Sequence, residues 1–468
     1  MADSAHETSV DVLVIGAGII GLGIAWAVAR SGRTVCVVDP APVSGASYAA
    51  AGMLAPVSEL HYQEEQLLEL MLDSAALYPE FIETLGTVET VGSVETLGSV
   101  ETAGGEVSGG EASGYLRTRT IVVGADAADR QALADLRAVQ QSHGLAVTPL
   151  TTREARRLEP LLSPQLSGAF QIDDDHQVDP RWLAGRLRQA LVAWGAEHGW
   201  LHEVFVARSV DGLRRSNDGA INGVFLHDAG TAAESPAVSS AIAVNTIAAG
   251  EVIVANGLHA AALNGLPAGL TLPLRPVHGD ILRLRVPAQL QPLVTATVRG
   301  LVHGVAVYIV PRVDGSVVIG ATAREDGSAG VSAGGVYQLL RDAQVLIPSV
   351  AELELVEVSA RARPATPDNA PLLGRVTDAA SGRLVDGLII ATGFYRHGVL
   401  LTPIAARICV ELLDGTTDPR WAAFAPDRFA LAPDALASRP QFADPSMSSK
   451  PFSTPLPPAT PPKESRNA

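Results

Sequence analysis

The stretch Val10-Asp11-Val12-Leu13-Val14-Ile15-Gly16-Ala17-Gly18-Ile19-Ile20-Gly21 decides how this chain is read. A short, mostly apolar run ending in glycine reads as a buried parallel strand over 10–16. The spacing Gly-x-Gly-x-x-Gly at Gly16, Gly18 and Gly21 then turns the strand into a helix over 19–30. Bare backbone at such a turn lets a pyrophosphate approach the positive end of the helix. Ala25 follows four residues after Gly21 and Gly32 seven after that. A second strand over 34–39 completes a βαβ unit, and Asp39 closes it where a ribose hydroxyl needs an acceptor. An acidic residue there disfavours a 2′-phosphate and leaves FAD or NAD. Residues 10–29 are also apolar enough to resemble a membrane span. The glycines at 16, 18, 21 and 23 mark a nucleotide turn instead.

Outward from this unit the pattern stays α/β. Helices are expected over 59–85, 127–143 and 180–198, strands at 251–255 and 388–392, and a last helix over 403–413. Between 273 and 322 the reading changes to β runs at 280–286, 306–311 and 317–322, separated by turns. The expected fold class is therefore α/β: a discontinuous Rossmann-like nucleotide-binding domain over 10–85, 115–272 (mixed, mostly this domain) and 362–430, with a second, mainly antiparallel β-sheet domain over 273–361. Residues 87–92, 93–98 and 99–104 repeat the pattern [T/S]-V-E-T-x-G. Such an acidic, glycine-punctuated tract has little to bury, so 86–114 reads as a surface insertion. Residues 1–9 and the Pro/Ser/Ala-rich 431–468 read as unstructured tails.

Composition narrows the function. The chain has 468 residues, 47% of them hydrophobic and 18% charged, which suits an enzyme-sized globular protein. Its formal charge of −16, from 34 basic and 50 acidic residues, repels a phosphate backbone and argues against a nucleic-acid partner. Two cysteines, Cys36 and Cys409, make neither a disulfide framework nor a zinc site and read as core packing in a reducing compartment. The polar start, with Asp3 and Glu7, lacks a signal core, so the expected location is cytoplasmic, with no membrane partner. Assembly into a homo-oligomer is left open.

Gly45-Ala46-Ser47-Tyr48-Ala49-Ala50-Ala51-Gly52-Met53-Leu54-Ala55-Pro56 is a run of small residues. It suits either backbone packed against a flat ring and its phosphates or a tightly packed helix start. Two further blocks stand out: Tyr308-Ile309-Val310-Pro311-Arg312 followed by Val318-Ile319-Gly320-Ala321-Thr322, and Arg363-Pro364-x-Thr366-Pro367-Asp368 followed by Gly393-Phe394-Tyr395-Arg396-His397-Gly398-Val399-Leu400-Leu401. With the glycine fingerprint, these blocks make the chain resemble the D-amino acid oxidase superfamily over about residues 10–425, in particular the glycine oxidases of thiazole (thiamine) biosynthesis.

The resemblance implies FAD at the junction of two lobes. By position, Gly16, Gly18, Ile19, Ile20 and Gly21 would meet the pyrophosphate and Asp39 the adenosine ribose. Ala46, Ser47, Ala51, Gly52 and Met53 would lie along the cofactor, Val206 would contact the adenine, and Gly393 through Leu400 would reach the flavin ring. Helix-start amides near 397–403 suit the negative charge that a reduced flavin carries at N1/O2. His397, read as either a surface histidine or a flavin contact, is counted for its backbone alone. Sarcosine oxidases of the same superfamily hold flavin through a cysteine near this block. Residues 361–366 contain none, so FAD is expected to bind non-covalently.

The implied substrate is a small amino acid, oxidised with molecular oxygen as acceptor. Arg363 matches the carboxylate-binding arginine, whose planar fork takes both oxygens. Tyr308 matches a tyrosine that helps hold the same group, or else is a strand tyrosine in a core. Arg396 matches a second arginine near the substrate. No nucleophile, acid–base residue or metal site is expected, because the cofactor carries the chemistry. A D-amino acid dehydrogenase with another acceptor, or a flavin-binding subunit without turnover, are the alternatives. The chain departs from the family at Asp39, where a longer glutamate is common, and at Asn256, where a smaller residue is usual.

Overall fold

A computed structural model describes residues 9–62, 64–86, 114–227, 245–379 and 381–430. The repeat tract, apart from Gly86 and Gly114, and both tails, apart from Ser9, lie outside the described residues, as does 228–244. In the first sheet, five strands run parallel in the order Phe205–Val206, Val35–Val38, Ser9–Ile15, Thr246–Val254 and Leu384–Thr392. Thr246–Val254 is long enough to be shared. Its start pairs antiparallel with Ile221–Leu226, and Val252 to Val254 pair parallel with Leu384–Thr392.

Successive side chains of a strand face opposite sides. Val12 and Val14 therefore enter one core with the helices Ile19–Arg30, Pro180–Glu197 and Thr402–Leu413, whereas Leu13 and Ile15 enter another. The glycine-to-helix reading at 19–30 matches the helix observed. The expected helix over 59–85 starts later, at Gln66–Glu83. Tertiary partners take the residues before it: Asp175 accepts the Val57 and Ser58 amides at 3.0 and 2.9 Å, which holds 56–59 in turns.

The second sheet runs Glu354–Ala365, Arg275–Arg285, Ser316–Gly320, Val305–Pro311, Thr297–Val302, Thr120–Gly124, Gly168–Ile172 and Thr148–Leu150. It is antiparallel except where Thr297–Val302 meets Thr120–Gly124. The three strands between 120 and 172 thus belong to this sheet, although 115–272 was expected mostly in the nucleotide-binding domain. A five-residue apolar strand carries no mark of which sheet it will join. Pairing of Ile121 with Val298 decides it, burying Ile121 and Val123 beside Leu282 and Ile309. Helix Ala333–Leu346, absent from the sequence reading, covers the same core through Leu339, Ala343 and Leu346.

Among the described residues no helix is long and apolar enough to cross a membrane. Cys36 and Cys409 are both buried and free, and burial pushes each thiol up to about 12, so both remain inert packing groups.

Candidate active site

The strands Ser9–Ile15, Val35–Val38, Thr246–Val254 and Leu384–Thr392 point their carboxyl ends at one cavity of about 770 Å³, lined there by Gly16, Asp39, Asn256 and Gly393. Open parallel sheets bind ligands at this edge. The first wall is mostly backbone. Gly16 has φ +107°, and a Cβ there would lie 2.7 Å from the Ala255 oxygen and the Asn256 Cα, so only glycine permits this crossing of strands. The first intrahelical bond runs from the Leu22 amide to the Gly18 oxygen at 2.9 Å, leaving the preceding amides to other partners. Ser47 Oγ accepts the Ile19 amide at 3.0 Å. Asp39 accepts the Ala17 and Ala41 amides at 2.7 Å each, tying the glycine turn to the next loop. Each carboxylate oxygen keeps capacity for a further donor.

Gly18, Ile19, Ile20, Ala46, Ser47, Ala51, Gly52 and Met53 line the same cavity. Gly21 and Val206 do not. Gly21 packs against the Gly16 carbonyl. Val206 packs into the first-sheet core, and its carbonyl accepts the Asp39 amide at 3.1 Å, while Ser209 and Val210 form the wall at that end.

The turn 393–401 closes the cavity, with Gly393 through Leu400 on its lining. The Val399 and Leu400 carbonyls accept Tyr78 Oη at 2.5 Å and Ser74 Oγ at 2.6 Å from helix Gln66–Glu83. The Tyr395 amide donates to the Pro364 oxygen at 2.9 Å, linking this turn to the segment that carries Arg363. His397 is no surface residue. It is 2% exposed, and burial, then the nearby Arg396 charge, lowers its pKa to about 3, so the ring is neutral at ordinary pH.

The second wall is built from side chains on one face of the second sheet. Arg299 pairs with Tyr308 across the strands, Tyr308 with Gly320, and Gly320 with Ile281. A Cβ on Gly320 would lie 2.5 Å from Tyr308 Oη, and one on Gly279 would lie 2.4 Å from Arg363 Nη2. These two glycines give the tyrosine and the arginine the space they occupy. Tyr308 is half-buried, and the loss of water around its ring raises its pKa although the Arg363 charge opposes the shift, so the phenol stays protonated and able to donate. Arg363 donates to the Thr322 carbonyl at 3.1 Å and pairs with no carboxylate among the described residues. Arg312, also buried, reaches from this sheet to the Ala51 carbonyl at 2.5 Å and to Gln177 Oε1 at 2.9 Å, fixing the small-residue run in place.

Arg396 lines the cavity, but its guanidinium is already engaged, bonded to Glu64 and 3.3 Å from Glu59. Arg299 and Glu59, a bonded pair on the same lining, were missed by sequence reasoning. Arg299 carried a faint signal, being a lone cation inside the run Thr297-Val298-Arg299-Gly300-Leu301-Val302. Glu59 was masked by the helix expected to begin there.

Asn256 Oδ1 and His397 Nε2 are buried without a partner among the described residues, and both residues line the cavity. A long cleft with a glycine turn at one end, small residues along it and orphaned polar atoms beside it fits a dinucleotide bearing a flat ring. Fold and site therefore define a dinucleotide-binding protein.

Residues 11–412 match the DAO family of FAD dependent oxidoreductases, and the chain belongs to that family. It is 32% identical to the glycine oxidase of Geobacillus kaustophilus over 86% of this chain and 93% of that one. It is 30% identical to the bifunctional protein ThiO/ThiG of Synechocystis over 93% of this chain, spanning only 57% of that longer protein. The crystal structure of glycine oxidase from Geobacillus kaustophilus is similar with a TM-score of 0.72 and 29% identity, covering 90% of this chain and 99% of the other. The cofactor is FAD, and the residues described above as the first wall would hold it.

Proposed function

We propose that the protein oxidises glycine, and other small amines such as sarcosine and D-alanine, at the carbon bearing the nitrogen. Glycine, oxygen and water would give glyoxylate, ammonia and hydrogen peroxide. When bound, FAD supplies the acceptor for the two electrons. The chain's own groups bind and orient. Arg363 takes the substrate carboxylate and the protonated Tyr308 donates to it, which points the Cα–H toward the 393–400 turn. The neutral His397 adds no competing charge. The family resemblance and the ThiO name of the Synechocystis relative support a role in supplying thiazole synthesis for thiamine.

One observation carries this reading: at the Tyr308 end of the cavity Arg363 is a cation without a carboxylate partner among the described residues, whereas Arg299 and Arg396 are paired. Glycine, sarcosine and D-alanine added anaerobically should bleach the bound flavin, and bulky L-amino acids should not. Air should then restore the colour with formation of peroxide. Bleaching without peroxide would mean a dehydrogenase with another acceptor, and no bleaching by any amine would mean a flavin-binding subunit.

A further inference from the structure

Three guanidinium groups stand at the Tyr308 end of the cavity, those of Arg299, Arg363 and Arg396. A fourth lining arginine, Arg361, is turned away, donating to the Ser44 carbonyl at 2.7 Å and lying over the Tyr48 ring. Such a set of cations would ordinarily attract ligands with several negative charges. Glu59 prevents this. One of its oxygens bonds to Arg299 and the other lies 3.3 Å from Arg396, which Glu64 also holds. Burial alone would raise the Glu59 pKa, but Arg299 and then Arg396 outweigh it and hold the carboxyl at about 2, so it is ionised throughout the working range. The Val57 and Ser58 amides on Asp175 fix the turn from which Glu59 projects. Glu59 and Glu64 thus answer two of the three guanidinium groups, and Arg363 is left without a carboxylate partner among the described residues.

We infer that Glu59 sets the charge class of the substrate: by occupying Arg299 and, with Glu64, Arg396, it leaves binding for one carboxylate and rejects amines that carry a second. This rests on the reading of Arg363 as the carboxylate anchor. An added carboxylate would have to displace Glu59 from a charged, partly desolvated contact, and breaking such contacts is costly. With a neutral glutamine in its place, Arg299 becomes available to a second carboxylate, while Arg396 stays with Glu64.

The test uses the flavin-loaded protein, with acetate and malonate as unreactive mono- and dicarboxylate probes read by the flavin absorbance change. In Glu59→Gln the affinity for malonate relative to acetate should rise about 10- to 100-fold, the range expected for one new charged hydrogen-bonded contact. Iminodiacetate should gain as a reductant of the flavin relative to glycine. Glu64→Gln should raise the malonate preference less, because Glu59 still faces Arg396. An unchanged malonate-to-acetate ratio in Glu59→Gln overturns the inference. If that variant fails to hold flavin, the same null result in Glu64→Gln overturns it. Wild type that binds acetate yet is not bleached by glycine would instead overturn the proposed oxidase reaction and leave the carboxylate selectivity standing.

Discussion

One wall of the cavity presents backbone to its ligand, and the other presents side-chain heads. On the first wall the contacts are the turn Gly16 to Ile20, the helix-start amides and the run Ala51 to Met53, where adding an atom does more harm than changing a functional group. On the second wall Tyr308, Arg363 and Arg299, with Glu59 beside them, act through their polar ends, and Gly320 and Gly279 serve as space for the tyrosine and Arg363. The two walls should therefore fail differently. Damage to the first should lose the cofactor, and damage to the second should lose the substrate while the flavin stays.

The largest effect is expected from Gly16→Ala. Its φ of +107° and a Cβ 2.7 Å from the Ala255 oxygen combine strain and overlap with backbone that cannot move aside. Purified variant protein should carry little or no flavin by its visible-to-ultraviolet absorbance ratio. Near-wild-type occupancy would show that the first wall tolerates atoms and would break the contrast.

Next comes Arg363→Ala, which should keep its flavin spectrum and lose about 2 to 4 kcal/mol of binding to the substrate carboxylate, roughly 30- to 1,000-fold in kcat/KM for glycine. Arg363→Lys should recover only part, because a point charge cannot hold both oxygens in a plane. Wild-type kcat/KM in the alanine variant would mean that Arg299 or Arg396 breaks from its glutamate to serve as anchor.

Gly279→Ala sharpens the comparison most finely. The added methyl would lie 2.4 Å from Arg363 Nη2 and 2.6 Å from its Cζ, the far end of a flexible side chain that can swing away. Folding and flavin content should survive, and kcat/KM for glycine should fall about 10- to 100-fold through misplacement of the guanidinium by around 1 Å. Loss of flavin instead would place Gly279 with the first wall.

How each wall was built explains what could be read in advance. The first wall follows from local rules: strand, Gly-x-Gly-x-x-Gly turn, helix, second strand and an acidic end, all within residues 9–39, so sequence alone determined the nucleotide fold and the place of Asp39. The small-residue run and the 393–400 turn were legible through family resemblance, and the structure brings both to the same cavity. Val206 was not legible in this way, because which of a strand's neighbours reaches a ligand depends on how far that strand extends beside the others.

The tertiary structure alone decided the rest. The strands at 120–124, 148–150 and 168–172 join the second sheet through partners more than a hundred residues away or through one another. The charge state of the substrate end depends on pairs separated by 240 and 332 positions, Arg299 with Glu59 and Arg396 with Glu64. Residue type tells that an arginine is positive, but not whether a carboxylate already answers it. Only packing brings Glu59 and Glu64 to two of the three guanidinium groups, leaving Arg363 without a carboxylate partner among the described residues.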